Sequence, residues 1–289
     1  MKIIVPGTTS NLGPGFDSCG LALNLYLTLE IGTETDNWII HHQLGESIPN
    51  DETNLIIQTA LSLVPTLTPR ELWMESEIPA TRGLGSSSAA IIAGIEMANQ
   101  LAGLNLSDKE KVTLASNLEG HPDNAAPAIL GDFVVASKIQ DSVYAMKQVF
   151  PDVGILAVIP IEELLTKESR DVLPKILDYA QAVKASSISN VMIAAILAND
   201  LNLAGEMIEN DLWHENYRKD LVPHLSKIQS LAKETGAYAT FLSGAGSTVM
   251  ILVPYSKLKE LEQRLKETFT DWDVRQFSVE REGIQVQSN

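Results

Sequence analysis

The sequence has a single cysteine and a shortage of basic residues. Cys19 is the only cysteine, which excludes an internal disulfide and is typical of a protein in a reducing cytosol. Lysine and arginine number 21 against 37 aspartates and glutamates, which gives a formal net charge of −16. A nucleic-acid or anionic-membrane partner needs a basic face, so this balance argues against both.

Long apolar segments and a secretory leader are also missing. No apolar run approaches the ~20 residues that a membrane-spanning helix needs. The N-terminal stretch Met1–Pro6 is too short, and too soon interrupted by proline, to act as a signal peptide. We therefore expect a cytoplasmic protein without a membrane partner. At 289 residues the chain is long enough for one large domain or two ordinary ones.

The most informative stretch is P-A-T-R-G-L-G-S-S-S-A-A at residues 79–90. Apolar alternation predicts a strand before it, and a proline-free run that ends at Gly103 predicts a helix after it. Gly83 and Gly85 can adopt positive φ and let bare backbone approach a ligand. The helix start would direct free N–H groups and partial positive charge at the loop, which indicates a phosphate site. A serine-capped helix after a glycine turn would give a similar pattern.

Two familiar nucleotide-binding loops are excluded here. A Walker loop requires a lysine directly after its last glycine, and none follows these glycines. A dinucleotide loop requires a third glycine where this chain has Ser88. The predicted helix carries small residues that favour close backbone packing: Ala89, Ala90, Ala93, Gly94 and Ala98.

Three further segments are rich in glycine or polar residues: 6–17, 119–124 and 243–247. Each joins predicted strands or helices, where ligand contacts are common. On the residues alone, Asn11 and Asp17 are better explained as turn residues. A polar helix-to-helix turn explains residues 119–124 as well as a binding site does, and an ordinary hairpin explains residues 243–247.

The order of predicted elements indicates an α+β fold with two packed lobes. We expect an N-terminal domain at residues 1–150 and a C-terminal domain at residues 151–289. The glycine loops of the two halves are expected to face each other across a cleft between the lobes. That cleft is the expected active site.

Three motifs in this order resemble the GHMP kinase superfamily, whose members phosphorylate small alcohols. They are P-G-T-T-S-N-L-G-P-G-F-D, P-x-x-x-G-L-G-S-S-S-A-A and S-G-A-G-S. The first motif and the segment E-G-H-P-D-N-A-A-P are more similar to the homoserine kinase branch than to the sugar or mevalonate branches. The resemblance spans nearly the whole chain and implies the two-lobed fold of that superfamily, with an N-terminal ATP-binding domain.

The resemblance implies that ATP and Mg²⁺ are the cofactors. The residues that match the triphosphate loop of the family are Pro79, Ala80, Thr81, Arg82, Gly83, Leu84, Gly85, Ser86, Ser87, Ser88 and Ala89. The same match assigns the metal ion to Ser87 and Glu119. Arg82 and Ser88 depart from the pattern, because many relatives have a small residue and an alanine there.

The resemblance also implies L-homoserine as the substrate and O-phospho-L-homoserine, for threonine biosynthesis, as the product. The matching substrate residues are Asn11, Asp17, His121, Asn124, Arg170 and Arg218. Asp17 suits the ammonium group, and the two arginines suit the carboxylate. The expected catalytic residues are Asp17, Thr166 and Arg170. Thr166 corresponds to an aspartate of the mevalonate branch, so we expect positioning and Mg²⁺, without a carboxylate base, to drive the reaction.

Two alternatives stay open. The first is a GHMP kinase that acts on another small alcohol, such as a sugar or a mevalonate-like compound. The second is a non-catalytic protein of the same fold that senses the small molecule. Intact Ser87, Glu119 and Asp17 speak against the sensor. Homodimer formation is a further expectation.

Overall fold

The computed structural model describes residues 1–288. The strands are β1 (Lys2–Ser10), β2 (Cys19–Glu34), β3 (Ile39–His41), β4 (Arg70–Ser76), β5 (Phe133–Ile139), β6 (Ser142–Gln148), β7 (Gly154–Ile159), β8 (Ala239–Leu242), β9 (Val249–Val253), β10 (Asp273–Phe277) and β11 (Gln285–Gln287). The helices are α1 (Leu55–Leu63), α2 (Ser86–Ala102), α3 (Asp108–Glu119), α4 (Ala125–Leu130), α5 (Thr166–Asp171), α6 (Tyr179–Leu197), α7 (Leu201–Ile208), α8 (Glu215–Arg218), α9 (Leu225–Thr235) and α10 (Tyr255–Thr268).

The long strand β2 is the centre of a seven-stranded sheet with the order β11-β1-β2-β4-β3. Strand β5 pairs with the start of β2, and β6 pairs with β5. The apolar residues of β2 that alternate in the sequence are buried: Leu21, Leu23, Leu25, Leu27 and Leu29. Side chains of a strand alternate between its two faces, so this alternation of apolar residues predicts that one face of β2 is buried.

The second sheet has the order β10-β7-β9-β8, and its neighbours are antiparallel. Strand β7 is buried on both faces. Its Leu156 and Val158 pack with apolar residues of α9 and α10, whereas Ile155 and Ala157 join the core that contains β1, β2 and α2. The second sheet therefore lies between helices on one side and the main core on the other.

These two sheets with their helices confirm the predicted α+β class. The boundary near residue 150 stays a prediction. Apolar residues from both sides of that position form one continuous core. The late strand β11 also returns to the first sheet, where Val286 pairs with Ile3 of β1.

Two local features affect the site. The polar loop predicted at residues 6–17 begins only at Asn11, because β1 resumes pairing with β2 after a bulge between Pro6 and Gly7. The close backbone packing predicted for the helix after the first glycine loop is present in α2. A Cβ at Gly94 of α2 would lie 2.4 Å from the carbonyl oxygen of Ile56 in α1. This contact fixes the helix whose start faces the site.

Helix α6 requires one correction to the sequence prediction. With 19 residues it is, by length and composition alone, long and apolar enough to cross a membrane. Core helices of soluble proteins meet the same criterion, but only 22% of this apolar stretch of α6 is buried inside the protein. The buried residues of α6 are Ala185, Met192, Ala195 and Ile196. The absence of a membrane partner stays a prediction.

Candidate active site

The predicted site residues meet in one cavity of about 340 Å³. Its wall combines the β1–β2 loop, the glycine loop before α2, the α3–α4 turn, the start of α5 and the β8–β9 loop. Every predicted substrate, catalytic and metal residue lines it: Asn11, Asp17, Ser87, Glu119, His121, Asn124, Thr166, Arg170 and Arg218. Both halves of the chain therefore build the cavity.

The predicted triphosphate loop contributes part of its length to this wall. The lining residues are Thr81, Gly83, Gly85, Ser86, Ser87 and Ser88. The other predicted loop residues are outside the lining of this cavity as the described residues form it: Pro79, Ala80, Arg82, Leu84 and Ala89. Leu84 and Ala89 are buried in the core.

The glycines of this loop have the conformation that the motif predicts. Gly83 and Gly85 have φ values of +77° and +75°, which favour glycine. Gly85 is the N-cap of α2 and has no side chain to bond the first N–H groups of the helix. The serine-capped helix considered from the sequence is therefore wrong. The helix start is left available to an anion.

The two glycine loops are in direct contact. The Ser243 hydroxyl donates to the Gly83 carbonyl oxygen at 2.7 Å. The Thr248 N–H donates to the Arg82 carbonyl oxygen at 3.2 Å. A Cβ at Gly83 would lie 2.1 Å from the Ser243 carbonyl oxygen, so a larger residue would displace backbone. The loops thus touch instead of facing each other across a gap, and the cavity opens beside their contact.

Ser88 and Glu119 form a hydrogen bond at the predicted metal position. The Ser88 hydroxyl donates to Glu119 Oε2 at 2.5 Å, while Ser87 is exposed on the cavity wall. Burial raises the pKa of Glu119 to about 7, although the Ser88 hydroxyl and His121 act in the opposite direction. Sequence reasoning placed Ser88 in the triphosphate loop and noted it as a departure from the family, without a partner. Its contact with Glu119 was missed because the two residues lie 31 positions apart.

Asp17 and Arg170 form a two-pronged ion pair. Arg170 Nη2 lies 2.6 Å from Asp17 Oδ1, and Arg170 Nη1 lies 3.1 Å from Asp17 Oδ2. Both side chains are about one-third exposed, so a ligand can reach them. The backbone N–H of Asp17 donates to Asn11 Oδ1 at 3.0 Å, which holds the loop in place. Opposite charges are thus presented side by side.

Arg218 is 2% exposed, yet it also lines the cavity. Its Nε donates to the Ser169 carbonyl oxygen at 3.1 Å, and its Nη1 donates to the Gly244 carbonyl oxygen at 2.9 Å. Burial and the charge of Arg170 lower the pKa of Arg218 to about 10, so it remains protonated at neutral pH. A buried guanidinium in a cavity is a strong partner for an anion.

His214 and Phe16 hold the two arginines, and sequence reasoning missed this role for both. His214 Nδ1 lies 2.9 Å from Arg218 Nη1, and its Nε2 lies 3.0 Å from the Gly13 carbonyl oxygen. Arginine only donates and a carbonyl only accepts, so Nε2 carries the proton and Nδ1 accepts. Burial agrees with this neutral form, because it lowers the pKa of His214 to about 4.

The ring of Phe16 lies between these groups. The guanidinium carbons of Arg170 and Arg218 are 5.6 Å and 5.5 Å from its centroid, and His214 stacks on it at 5.1 Å. The spacing of His214 and Arg218, four residues apart, is one signal that sequence reasoning had available.

The amides of Asn11 and Asn124 are bonded to the protein itself. Asn11 Nδ2 donates to the Gly244 carbonyl oxygen at 3.0 Å. Asn124 Oδ1 accepts from the Thr8 hydroxyl at 2.8 Å, and its Nδ2 donates to Ser10 Oγ at 3.1 Å. These two residues therefore join segments of the site wall, in addition to any contact with a ligand.

His121 is paired with the buried carboxylate of Asp123. Burial disfavours a charged His121, but Asp123 outweighs that effect, so the pKa of His121 is raised. Burial likewise disfavours ionised Asp123, but its bond with His121 outweighs this and lowers its pKa. Asp123 was not among the predicted residues. Asp123 holds the His121 ring at the cavity and favours its charged form.

Comparison with known proteins identifies the family of this chain. The family described as GHMP kinases N terminal domain matches residues 54–132, and GHMP kinases C terminal matches residues 192–271. The chain is 58% identical over 286 residues to a homoserine kinase of Listeria monocytogenes serotype 4a (strain HCC23), with 99% of each covered. It is 57% identical to a homoserine kinase of Enterococcus faecalis (strain ATCC 700802 / V583), covering 99% of this chain and 100% of that one.

The chain belongs to the GHMP kinase family, among the homoserine kinases. A crystal structure of homoserine kinase from Cytophaga hutchinsonii superimposes with a TM-score of 0.87 at 27% identity, over 99% of this chain and 97% of that one. A mevalonate kinase structure has a TM-score of 0.74 at 19% identity, over 98% of this chain and 100% of that one, which shows a shared fold only. The predicted superfamily, branch and two-lobed GHMP kinase fold are confirmed.

The contact between Ser88 and Glu119 generates a first prediction. A Ser88→Ala variant should raise the pKa of Glu119 above about 7, because the hydroxyl stabilises the ionised carboxylate. The titration of the Glu119 carboxyl carbon by NMR measures this. Ser86→Ala, at a neighbouring lining position, is the matched control and should leave the titration unchanged. An unaltered Glu119 titration in Ser88→Ala would contradict the assignment.

Proposed function

We propose that this protein transfers the γ-phosphoryl group of ATP to the side-chain hydroxyl of L-homoserine, giving O-phospho-L-homoserine for threonine biosynthesis. One observation carries the proposal. A single cavity is lined both by an open helix start with serine hydroxyls and by Asp17, Arg170 and Arg218. The homoserine kinases at 57–58% identity support it over nearly the full chain.

The charges of the cavity suit an amino acid. Asp17 would receive the ammonium group, and Arg170 and Arg218 would receive the carboxylate. His121 lines the same cavity, and Asp123 raises its pKa, which favours the positively charged form. Galactose has neither charged group, and mevalonate has a carboxylate but no ammonium group. A site with both signs of charge therefore favours homoserine over these two alcohols.

The glycine loop would bind the triphosphate. Backbone N–H groups and the positive end of the α2 dipole attract phosphate without a lysine side chain. This matters in a protein with a net charge of −16, where the general field repels anions. Gly83 and Gly85 allow the close approach, and Ser86–Ser88 add hydroxyl donors at the same end of the cavity.

The donor set suits Mg²⁺, which prefers carboxylate and hydroxyl oxygen ligands. Glu119 and the exposed Ser87 would hold it, and Ser88 would orient the Glu119 carboxylate through its hydrogen bond. When bound, Mg²⁺ neutralises charge that develops on the phosphoryl oxygens. The protein itself supplies alignment, since phosphoryl transfer needs in-line placement more than covalent assistance.

Three residues would act at the reacting end of the substrate. Arg170 and Asp17 fix the amino-acid group, so that the side-chain hydroxyl extends toward the glycine loop. Thr166, the first residue of α5, lines the same cavity and would contact the hydroxyl. Asp17 is already paired with Arg170, which makes it a poor base. The alcohol proton would pass to phosphate or to water.

Two rival functions and the cellular setting complete the proposal. Measuring ADP release with homoserine, mevalonate, galactose and shikimate separates a homoserine kinase from another GHMP kinase. No ADP release with any of these alcohols would favour a sensor. We also propose a cytoplasmic homodimer. A single buried cysteine, Cys19, is compatible with a reducing compartment.

Arg170 should read the carboxylate of homoserine. Arg170→Leu should raise the homoserine KM by roughly 30-fold or more and leave the ATP KM nearly unchanged, since losing a partner of a desolvated charge costs about 2–5 kcal/mol. Arg218→Lys should give a partial loss of the same kind, because lysine lacks the two-pronged geometry. We choose lysine at position 218 because leucine would remove the donor to Ser169 and His214, two buried acceptors.

Initial rates with homoserine and with 3-aminopropanol, which lacks the carboxylate, test this reading. The natural enzyme should phosphorylate the analogue slowly, and the Arg170→Leu substitution should lower that rate only slightly further. Arg264→Leu is the control, because Arg264 of α10 bonds Thr235 and Glu234 of α9, outside the cavity. If 3-aminopropanol reacted as well as homoserine, the carboxylate assignment would fail.

Ser87 should matter for turnover more than for nucleotide binding. Ser87→Ala should lower kcat by ~10²-fold, the usual loss for one charge-stabilising contact. Its ATP Kd should change little, because backbone N–H groups still bind the phosphates. Steady-state rates and calorimetric ATP titration at several Mg²⁺ concentrations measure both. Normal turnover would remove Ser87 from the metal site.

Thr166 should be helpful but not essential. Thr166→Ala should keep kcat within about tenfold of the natural enzyme, well short of the ~10²-fold or greater loss expected on removing a general base. Thr166→Val keeps the side-chain shape without the hydroxyl and should behave in the same way. Loss of all activity in both variants, with normal homoserine and ATP binding, would show that the hydroxyl is required for the chemistry.

A further inference from the structure

Residues 160–171, which we call the connecting segment, run from the end of β7 through α5. The segment carries Thr166 and Arg170 to the cavity wall. The Ser169 hydroxyl donates to the Ala245 carbonyl oxygen at 2.7 Å, so the far end is fixed to the second glycine loop. The near end, at Pro160 and Ile161, is fixed by a residue of the first glycine loop.

That residue is Arg82. Its backbone lies between Thr81 and Gly83, which both line the cavity. Its side chain extends to the connecting segment, where Nε donates to the Pro160 carbonyl oxygen at 3.0 Å and Nη2 donates to that of Ile161. The same guanidinium returns to its own loop, because Nη1 donates to the Ala80 carbonyl oxygen at 2.8 Å.

The contact is rigid for two reasons. The Arg82 side chain is only 14% exposed, and a planar guanidinium that bonds several carbonyls has few alternative positions. A backbone bond runs parallel to it, since the Leu164 N–H donates to the Thr81 carbonyl oxygen at 3.1 Å. Glu163 also approaches Nη1 at 3.3 Å, but it is 64% exposed and therefore adds little. The carbonyl contacts are the main connection.

We propose that Arg82 is a positioning residue that couples nucleotide binding at the glycine loop to homoserine binding at Thr166 and Arg170. The inference rests on the proposed function. A triphosphate that orders residues 81–83 would, through Arg82, also order the start of the connecting segment. The amino-acid site would then be complete only with nucleotide present. Coupling of this kind is reciprocal, so homoserine must tighten nucleotide binding by the same factor.

Calorimetry measures the coupling directly. The homoserine Kd is determined without nucleotide and with a saturating, non-hydrolysable imido analogue of ATP plus Mg²⁺. The natural enzyme should bind homoserine at least about 5-fold more tightly in the second case, the lower end of typical coupling. Arg82→Ala should bring that ratio close to one, while each ligand alone binds within about threefold of its natural affinity. If Arg82 had a purely structural role, Arg82→Ala would instead weaken the binding of each ligand measured without the other.

Two further variants keep the test decisive. Arg82→Lys retains one charged donor and should give an intermediate ratio even if Arg82→Ala is unstable. Arg264→Ala removes a half-buried arginine of α10 outside the site and should leave the ratio unchanged.

Three results would overturn the inference. The first is a ratio of homoserine Kd values, without and with nucleotide, near one in the natural enzyme. The second is an unchanged ratio in Arg82→Ala and Arg82→Lys. The third is a large loss of nucleotide affinity in these variants with the ratio retained. The last would make Arg82 a phosphate ligand. Failure of the natural enzyme to bind homoserine at all would instead reject the proposed substrate, and the inference with it.

Discussion

The close approach of two backbones at Gly83 and Ser243 is the constraint on which the site depends. A Cβ at Gly83 would lie 2.1 Å from the Ser243 carbonyl oxygen, so the two loops can meet only because glycine is present. Their contact brings the start of α2, which can bind an anion, next to the loop whose Gly244 carbonyl holds Arg218. Without it, the start of α2 would lie apart from the loop that bonds Arg218.

The charged groups of the cavity are held by hydrogen bonds that offset the cost of burial. Arg218 is bonded by two carbonyls and by neutral His214, and Asp123 is bonded to His121. Removing water from a charge costs several kcal/mol, roughly, unless such partners replace it. Because their partners are already in position, a substrate would meet the Arg218 and His121 side chains already oriented. Preorganisation of this kind is how enzymes stabilise developing charge.

Much of this could be predicted from the sequence, for physical reasons. The alternation of apolar and polar residues in β2 predicts its one buried face. Ser107 and Glu110, three positions apart, form a capping box at the start of α3. Both signals are local. The substrate and metal residues came from resemblance of motifs, since on their own they also fit turns or the surface. Their assembly in one cavity agrees with that resemblance, while their roles remain proposals.

Other features leave no local signal. Ser88 meets Glu119, Arg82 meets Pro160, and Ser243 meets Gly83 across 31, 78 and 160 residues of chain. Such contacts depend on how the sheets pack, which no window of sequence contains. His214 was missed for a similar reason. Its role in holding Arg218 depends on contacts of the His214 ring with Phe16, Gly13 and Arg218, of which Phe16 and Gly13 are distant from His214 in the sequence.

The pairing of β11 with β1 has a consequence for the order in which the molecule can be completed. Strand β1 leaves the ribosome first, yet its outer edge stays uncovered until residues 285–287 have been made. During translation that edge is an exposed row of backbone N–H and C=O groups, open to pairing with another nascent chain. A fusion partner attached after β11 would lie beside this late-closing edge, whereas one attached within the β5–β6 turn would not.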